Sequence, residues 1–410
     1  MTSLTKKLRR RRHRRRPPAK PVEPTDRDVQ MMKAIVDHDG FLSTVQLATL
    51  FFQPDLVRQL RWFGLDQTQV NQLLSSFEPS YLSERIALAK WLLKIYKQDH
   101  SSFTTLDPAL QQIAVVDPAT WLIQAIYQAY QPPDTFLARP VFASDFVSTA
   151  CRKRLRLLYD GGLLERRDQA VKLSEGSQPL LWFITKHSRK LLARLQDRSV
   201  GQITFKSPDD IKDISIPHRL VTNDILIAAT LAAKRLGYQI KLMRSEGTMR
   251  RLHGRASERI TYFTDPRNPD LGQQEGTMTP DGYLWLHTGN DWHMFWEIDL
   301  GSETIESGSP ELEDWVRKIS RHVAYLEQRY PLAYSQAGKS LRICIVTTTQ
   351  KRAEGLIDLV REVTPQHSHR FWSTALDQIT PTYARFYDET ILSGNIWFRG
   401  DKGGRYALIW

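Results

Sequence analysis

Residues 279–301, TPDGYLWLHTGNDWHMFWEIDLG, gather acids in a pattern that could do chemistry. Asp281 opens one run, and Glu297 and Asp299 stand two apart on the next. Tyr283, Trp285 and His287 alternate with Leu284 and Leu286, and Phe295, Glu297 and Asp299 alternate with Trp296, Ile298 and Leu300, which is the period of strands. Side chains two apart share a face, so Glu297 and Asp299 point the same way. Acids on one face of an apolar hairpin repel unless a divalent cation, a base or a proton neutralises them. Phosphodiester cleavage uses such a set. Oxygen ligands suit Mg2+ or Mn2+, which lower the pKa of a bound water and screen the phosphate. The competing reading is a sheet edge with solvated acids.

Hairpin register decides whether Asp281 joins the pair. A two-residue Gly289-Asn290 turn would set position 281 opposite 298, on the wrong face. A three-residue loop would set it across from Glu297 or Asp299. Gly-X favours the shorter turn. Glu246, on the first strand of this region, reads as a further acid or a surface residue. His218 could bond Asn223 or Asp224, or simply pack. The HSH at 367–369 departs from the His-hydrophobe-His motif of rolling-circle relaxases, and Tyr383 and Tyr387 are candidate nucleophiles among fourteen tyrosines.

A second set is basic. Arg152, Lys153, Arg154 and Arg156 alternate with Leu155, Leu157 and Leu158 on a helix ended by Gly161-Gly162. On a recognition helix these side chains can contact phosphates and guanine edges in the major groove, with Arg166 and Arg167 at the base of a wing. A solvated amphipathic face is the alternative.

The elements that must position these sets follow from caps and periodicity. Thr25 can cap a helix with the stripe Val29, Met32, Ile35 and Val36; Asp39-Gly40 turns the chain; Ser43 or Thr44 caps a second helix. The basic helix and two strand-like pieces, AVKLSE and PLLWFIT, complete the order of a winged helix over 25–198, split by a helical insertion at about 54–140. After a polar linker at 199–214, residues 215–410 read as αβββαβα, with Ser215 as cap, Pro217 in the first turn and Gly237 as stop. The fold class expected is α+β or mixed: an N-terminal winged helix with a helical insertion, then a C-terminal α/β domain on a mixed sheet.

Composition sets the bounds. The 410 residues allow two or three domains. No run is long and apolar enough for a membrane span, and no apolar segment follows the N-terminal charges, so neither a membrane nor a secretory signal is expected. Cys151 and Cys344 make no disulfide framework or metal spacing and fit a reducing cytoplasm. Residues 6–16, KKLRRRRHRRR, hold nine Lys or Arg, most of the net charge of +12. With Pro17, Pro18, Pro21 and Pro24 following, residues 1–24 read as a disordered basic tail for a polyanion.

Taken together, TDRDVQMMKAI, TVQLATLFF, RKRLRLLYDGGLLERR, PHRLVTNDI, TPDGYLWL and FWEIDLGSETIE make the chain resemble the replication-relaxation family of plasmids and related mobile elements. The resemblance implies a winged helix before a domain similar to the PD-(D/E)xK nuclease fold. Pro280-Asp281 would be the PD element and Glu297-Ile298-Asp299 the ExK-like element, and this favours the odd hairpin loop. Asp281, Glu297 and Asp299 would then hold Mg2+ or Mn2+. Asp299 stands where that fold has lysine, and Lys318 on the next helix could supply the cation instead. Two functions stay open. One is a Mg-dependent endonuclease or relaxase nicking DNA at an origin. The other is a non-catalytic origin-binding or regulatory protein. Either would be cytoplasmic, with double-stranded DNA and other replication or transfer proteins as partners.

Overall fold

The computed structural model describes residues 21–52, 147, 149–169, 179–301, 315–333, 341–379 and 390–409. The basic tail up to residue 20, the helical insertion, the AVKLSE piece, Tyr383 and Tyr387 lie outside them. The chain divides into two compact units, and nearly everything described falls in the first, Met1–Phe51, Lys153–Ile379 and Tyr387–Trp410. Eleven α-helices and three sheets are present among the described residues, so the fold is mixed α and β. No helix there is long and apolar enough to cross a membrane.

Helix α1, Asp26–Asp37, starts on a reciprocal cap. The Thr25 hydroxyl accepts from the Asp28 N–H, and the Thr25 N–H donates to Asp28 Oδ2 at 2.7 Å. Its buried side is Met31, Met32 and Ile35, with Val29 and Val36 only partly covered, so the stripe sits a little off the one expected from the sequence. Asp39 (φ +64°) and Gly40 (φ +92°) turn the chain into β1, Leu42–Ser43, and α2, Thr44–Phe51. Ser43 is the cap of α2: its N–H donates to Gln46 Oε1 and its Oγ accepts from the Gln46 N–H.

The basic helix α3, Thr149–Asp160, ends at Gly162 (φ +76°), where the Leu163 N–H reaches back to Leu158 O at 2.9 Å. Strand β2 then occupies Leu164–Arg167, earlier than the AVKLSE piece, and pairs antiparallel with β3, Leu181–Ile184. Strand β1 closes the sheet on the other side of β3, in the order β1-β3-β2. Helix α4, Lys186–Leu195, follows with Thr185 as cap. The segment expected as a polar linker is folded into short 3-10 turns with Ile203 and Ile211 buried.

Helix α5, Ile216–Arg235, has Pro217 in its first turn and stops at Gly237 (φ +71°). Ser215 makes no side-chain cap; its hydroxyl donates to Lys212 O. Strand β4, Gln239–Ser245, runs straight into α6, Glu246–His253, and a small hairpin of β5, Ile260–Phe263, and β6, Gln273–Gly276. Neither is expected from the sequence, which reads straight from this strand to the acid hairpin.

The large sheet continues with β7, Gly282–His287, and β8, Asp291–Asp299. After α7, Trp315–Gln328, and the short α8, Tyr330–Ala333, come β9, Leu341–Thr347, and α9, Gln350–Val363. Strand β10, Phe371–Ala375, the short helices α10, Leu376–Ile379, and α11, Thr390–Ser393, and the hairpin of β11, Trp397–Arg399, and β12, Lys402–Tyr406, complete it. The order is β12-β11-β10-β9-β8-β7-β4. Strands β8, β9 and β10 are parallel neighbours, and β4, β7 and β8 are antiparallel. The acid-bearing β8 is thus an inner strand, paired on both edges by β9 and β7. The Arg342 guanidinium lies between the rings of Trp292 and Trp372, at 4.2 and 4.6 Å, and so ties β8, β9 and β10 together. Ile319, Ile343, Ile345, Leu356, Val360 and Phe371 form the core that seats α7 and α9 on this sheet.

Candidate functional site

The hairpin that carries the acids has an odd loop. Strands β7 and β8 pair from Gly282↔Trp296 to His287↔Asp291, which leaves Thr288, Gly289 and Asn290 to turn. Gly289 adopts φ +93°, and the Thr288 N–H donates to Asn290 O at 3.0 Å. Side chains hold this register. Asp291 accepts from Trp285 Nε1 at 3.0 Å and lies 2.8 Å from His287 Nδ1, while Trp292 Nε1 donates to Thr288 Oγ1 at 2.9 Å. Extended by one residue, the register sets Asp281 opposite Glu297.

Asp281 immediately precedes β7, and Pro280 before it has no N–H to extend the ladder. Its Oδ2 accepts from the Ile298 N–H at 2.8 Å. His218, in the first turn of α5, reaches the same place: Nε2 is 3.1 Å from Ile298 O and 3.3 Å from Asp281 Oδ2. Burial opposes the imidazolium, but Asp281 and then Glu246 outweigh it and raise His218 to about 9. Burial likewise opposes the Asp281 carboxylate, and His218 and Lys318 outweigh it to hold the acid below its ordinary range. Glu246, which opens α6, is 6% exposed and pairs with Arg250 at 2.5 Å. Among the described residues His218, Glu246 and Asp281 each offer a ligand atom, and these atoms all lie within 4.8 Å of one another.

Glu297 faces α7. Lys318 Nζ is 3.3 Å from its Oε2 and His322 Nε2 is 3.0 Å from its Oε1, the two partners being one turn apart on the helix. Asp299 is held elsewhere. Arg352 in the first turn of α9 grips both its oxygens, Thr347 on the neighbouring β9 donates to Oδ2 at 2.9 Å, and the Gly301 N–H donates to Oδ1 at 2.9 Å. The structure therefore brings together Asp281, Glu297 and Lys318, and it ties Asp299 to Arg352 rather than to them.

Several expectations change here. Glu246 is buried and belongs to the cluster, because β4 ends at Ser245 and α6 turns its first residue inward. His218 pairs with Asp281, while Asn223 Nδ2 donates to the carbonyls of His38 and Phe41, and Asp224 accepts from Gln46. Sequence reasoning misses His322 and Arg352; the spacing of Lys318 and His322 along one helical face is the available signal for the first. Burial of these acids does not by itself call for a metal, since His218, Lys318 and Arg352 supply cations to Asp281, Glu297 and Asp299. The donor set of His218, Glu246 and Asp281 would suit a divalent ion only once the His218 imidazolium gives up its proton to free a ring nitrogen. One imidazole among two carboxylates fits Mn2+ better than Mg2+, which takes oxygen ligands.

The basic residues also divide. Arg152, Lys153 and Arg156 are exposed on α3, and Arg156 lies 3.6 Å from Asp160. Arg154 instead turns inward onto the buried Asp28 of α1, with Nε donating to Oδ1 at 2.9 Å. Arg167 is committed to the segment after α4, donating to Pro208 O and Ile211 O and pairing with Asp213. The Arg166 guanidinium stacks over the Tyr159 ring at 4.4 Å.

No curated protein and no solved structure matches the chain. The family model described as replication-relaxation does match, over residues 135–336, a span that holds the basic helix α3, His218, Glu246, the acid hairpin and Lys318. That match supports assigning the chain to the replication-relaxation family, and with it a role in the replication or relaxation of plasmids or mobile elements.

Proposed function

We propose that the protein binds double-stranded DNA at an origin of a plasmid or mobile element and nicks it at a metal-assisted site. The observation that carries this reading is the three-residue loop, which aligns Asp281 with Glu297 while Lys318 reaches the pair from α7. His218, Glu246 and Asp281 would hold the ion. A divalent cation there would screen phosphate charge and lower the pKa of a bound water. Lys318 stands where a cation can meet a phosphate oxygen, and Glu297 fixes it there.

The DNA-binding part of the reading rests on the N-terminal elements. Helix, short strand, helix, basic helix and two strands, with the first strand paired to the last, is the order of a winged helix. Arg152, Lys153 and Arg156 on the open side of α3 would contact the duplex.

A second reading is a non-catalytic origin-binding or regulatory protein. It is favoured by the cation that each of the three acids already carries from a side chain. One experiment separates the two: nicking of supercoiled plasmid with Mn2+ or Mg2+, using wild type, Asp281→Asn, Glu297→Gln and Lys318→Met. Metal-dependent nicking lost in all three variants supports cleavage. Tight DNA binding with no nicking by wild type in either metal supports the second reading.

A further inference from the structure

Asp39 lies in the turn after α1, far in sequence from the acid cluster, and it is the point on which two parts of that cluster are braced. It is 3% exposed and non-glycine at φ +64°, a conformation that L residues other than Asn and Asp rarely accept. Its Oδ2 is 2.5 Å from Lys206 Nζ and 3.2 Å from Arg219 NH1. Its Oδ1 is buried without a hydrogen-bond partner and lies against Gly247, so closely that a Cβ on that residue would fall 1.8 Å away.

Arg219 and Gly247 are the immediate chain neighbours of His218 and Glu246. In each pair one residue meets Asp39 and the other belongs to the group that meets Asp281. The first turns of α5 and α6 are thus both referenced to one carboxylate. Glycine at 247 lets α6 approach it, and the ion pair holds α5 to it.

We infer that Asp39 is a positioning residue that sets the separation of His218 and Glu246 across the site. The inference rests on reading His218, Glu246 and Asp281 as a functional cluster. Moving either helix start by the width of a methyl group would spread the three ligand atoms apart. Asp39→Asn removes the charge but keeps a residue tolerant of φ +64°, and Gly247→Ala pushes a methyl onto Oδ1.

The test uses the full chain, with the His218 imidazole signal assigned by His218→Gln and followed by NMR, and Mn2+ affinity measured by calorimetry. Asp39→Asn and Gly247→Ala are expected to shift the His218 signal and to weaken Mn2+ binding about tenfold, the size of effect seen when an outer-shell partner is removed. Gly247→Ala placed in an Asp39→Gly background should shift the signal less than Gly247→Ala alone, because the clash is gone. Asp28→Asn, which loosens the same helix α1 at its other end, is the control and should lower the melting temperature without moving the signal. An unmoved His218 signal in both Asp39→Asn and Gly247→Ala, or an equal movement in Asp28→Asn, overturns the inference. A wild type that binds no Mn2+ overturns the metal reading instead, and the His218 signal still decides the role of Asp39.

Discussion

Lys318 Nζ stands 3.3 Å from Glu297 Oε2, although the two are carried by different elements, a helix and an inner strand of the sheet. Position 299, two residues along that strand, holds an aspartate already bound by Arg352. The lysine that meets Glu297 therefore comes from α7. In a plasmid nicking assay Lys318→Met should abolish activity while Lys318→Arg keeps part of it. Asp299→Lys should not rescue Lys318→Met, because a lysine there would face Arg352. Full activity in Lys318→Met would sink the assignment.

Asp299 is tied into the fold by Arg352, Thr347 and the Gly301 N–H. Removing it leaves Arg352 and Thr347 without their acceptor in a buried place, so Asp299→Ala should cost about 2–4 kcal/mol, less than a fully buried pair because Arg352 is partly exposed. Urea unfolding would measure it. Replacing both partners with leucine should recover much of the loss, since two apolar groups leave no orphaned charge. A double variant no better than Asp299→Ala would refute this account.

Stability should fall on both sides of neutrality, for opposite reasons. His38, His253 and His293 are buried, and burial lowers each to about 4 against an unfolded value near 6.5. Their contribution is complete above the unfolded value and is lost as pH drops from there toward 4, on the order of 1–3 kcal/mol each. His218 runs the other way: raised to about 9, it contributes fully below its unfolded value and loses that contribution as pH climbs through 9. Urea midpoints measured from about pH 4 to 10 should trace this dome. His218→Gln should flatten the alkaline side.

The basic helix should split into two phenotypes. Arg152→Ala, Lys153→Ala and Arg156→Ala are expected to weaken DNA binding and to lower the slope of log affinity against log salt by about one for each phosphate left without its cation. Arg154→Ala should act on stability instead, by exposing the charge of Asp28 beneath it. Anisotropy titrations at several salt concentrations, paired with thermal melts, distinguish the two. An Arg154→Ala variant with native stability and a reduced salt slope would reverse the assignment.

Some of this architecture is legible in the sequence, and the rest is hidden for physical reasons. Period-2 alternation locates β7 and β8, and the cap at Thr25 and the stops at Gly162 and Gly237 are readable because they are local. Register is not. The Gly-Asn pair argues for a two-residue turn, and the bonds of Asp291 and Trp292 across the hairpin decide otherwise. The family resemblance favours the odd loop that is found. Helix α6 is not read from the sequence, and the lack of a side chain at Gly247 is what Asp39 requires. Which of four neighbouring cations on α3 turns inward depends on Asp28, more than a hundred residues away. Long-range partners of this kind leave no mark in local spacing.

The pairing of β1 with β3 carries a consequence for how the chain is made. Ser43 meets Leu181, Gln46 donates to Asp224, and Asp39 waits for Lys206 and Arg219. During synthesis the first two helices leave the ribosome long before any of these partners exist. A nascent or proteolysed fragment ending near residue 52 would present Met31, Met32, Phe41 and Leu47 to solvent, with no sheet to cover them. The N-terminal segment is therefore expected to settle only after those partners are made, with the folding rate set by closing these long loops rather than by forming helices.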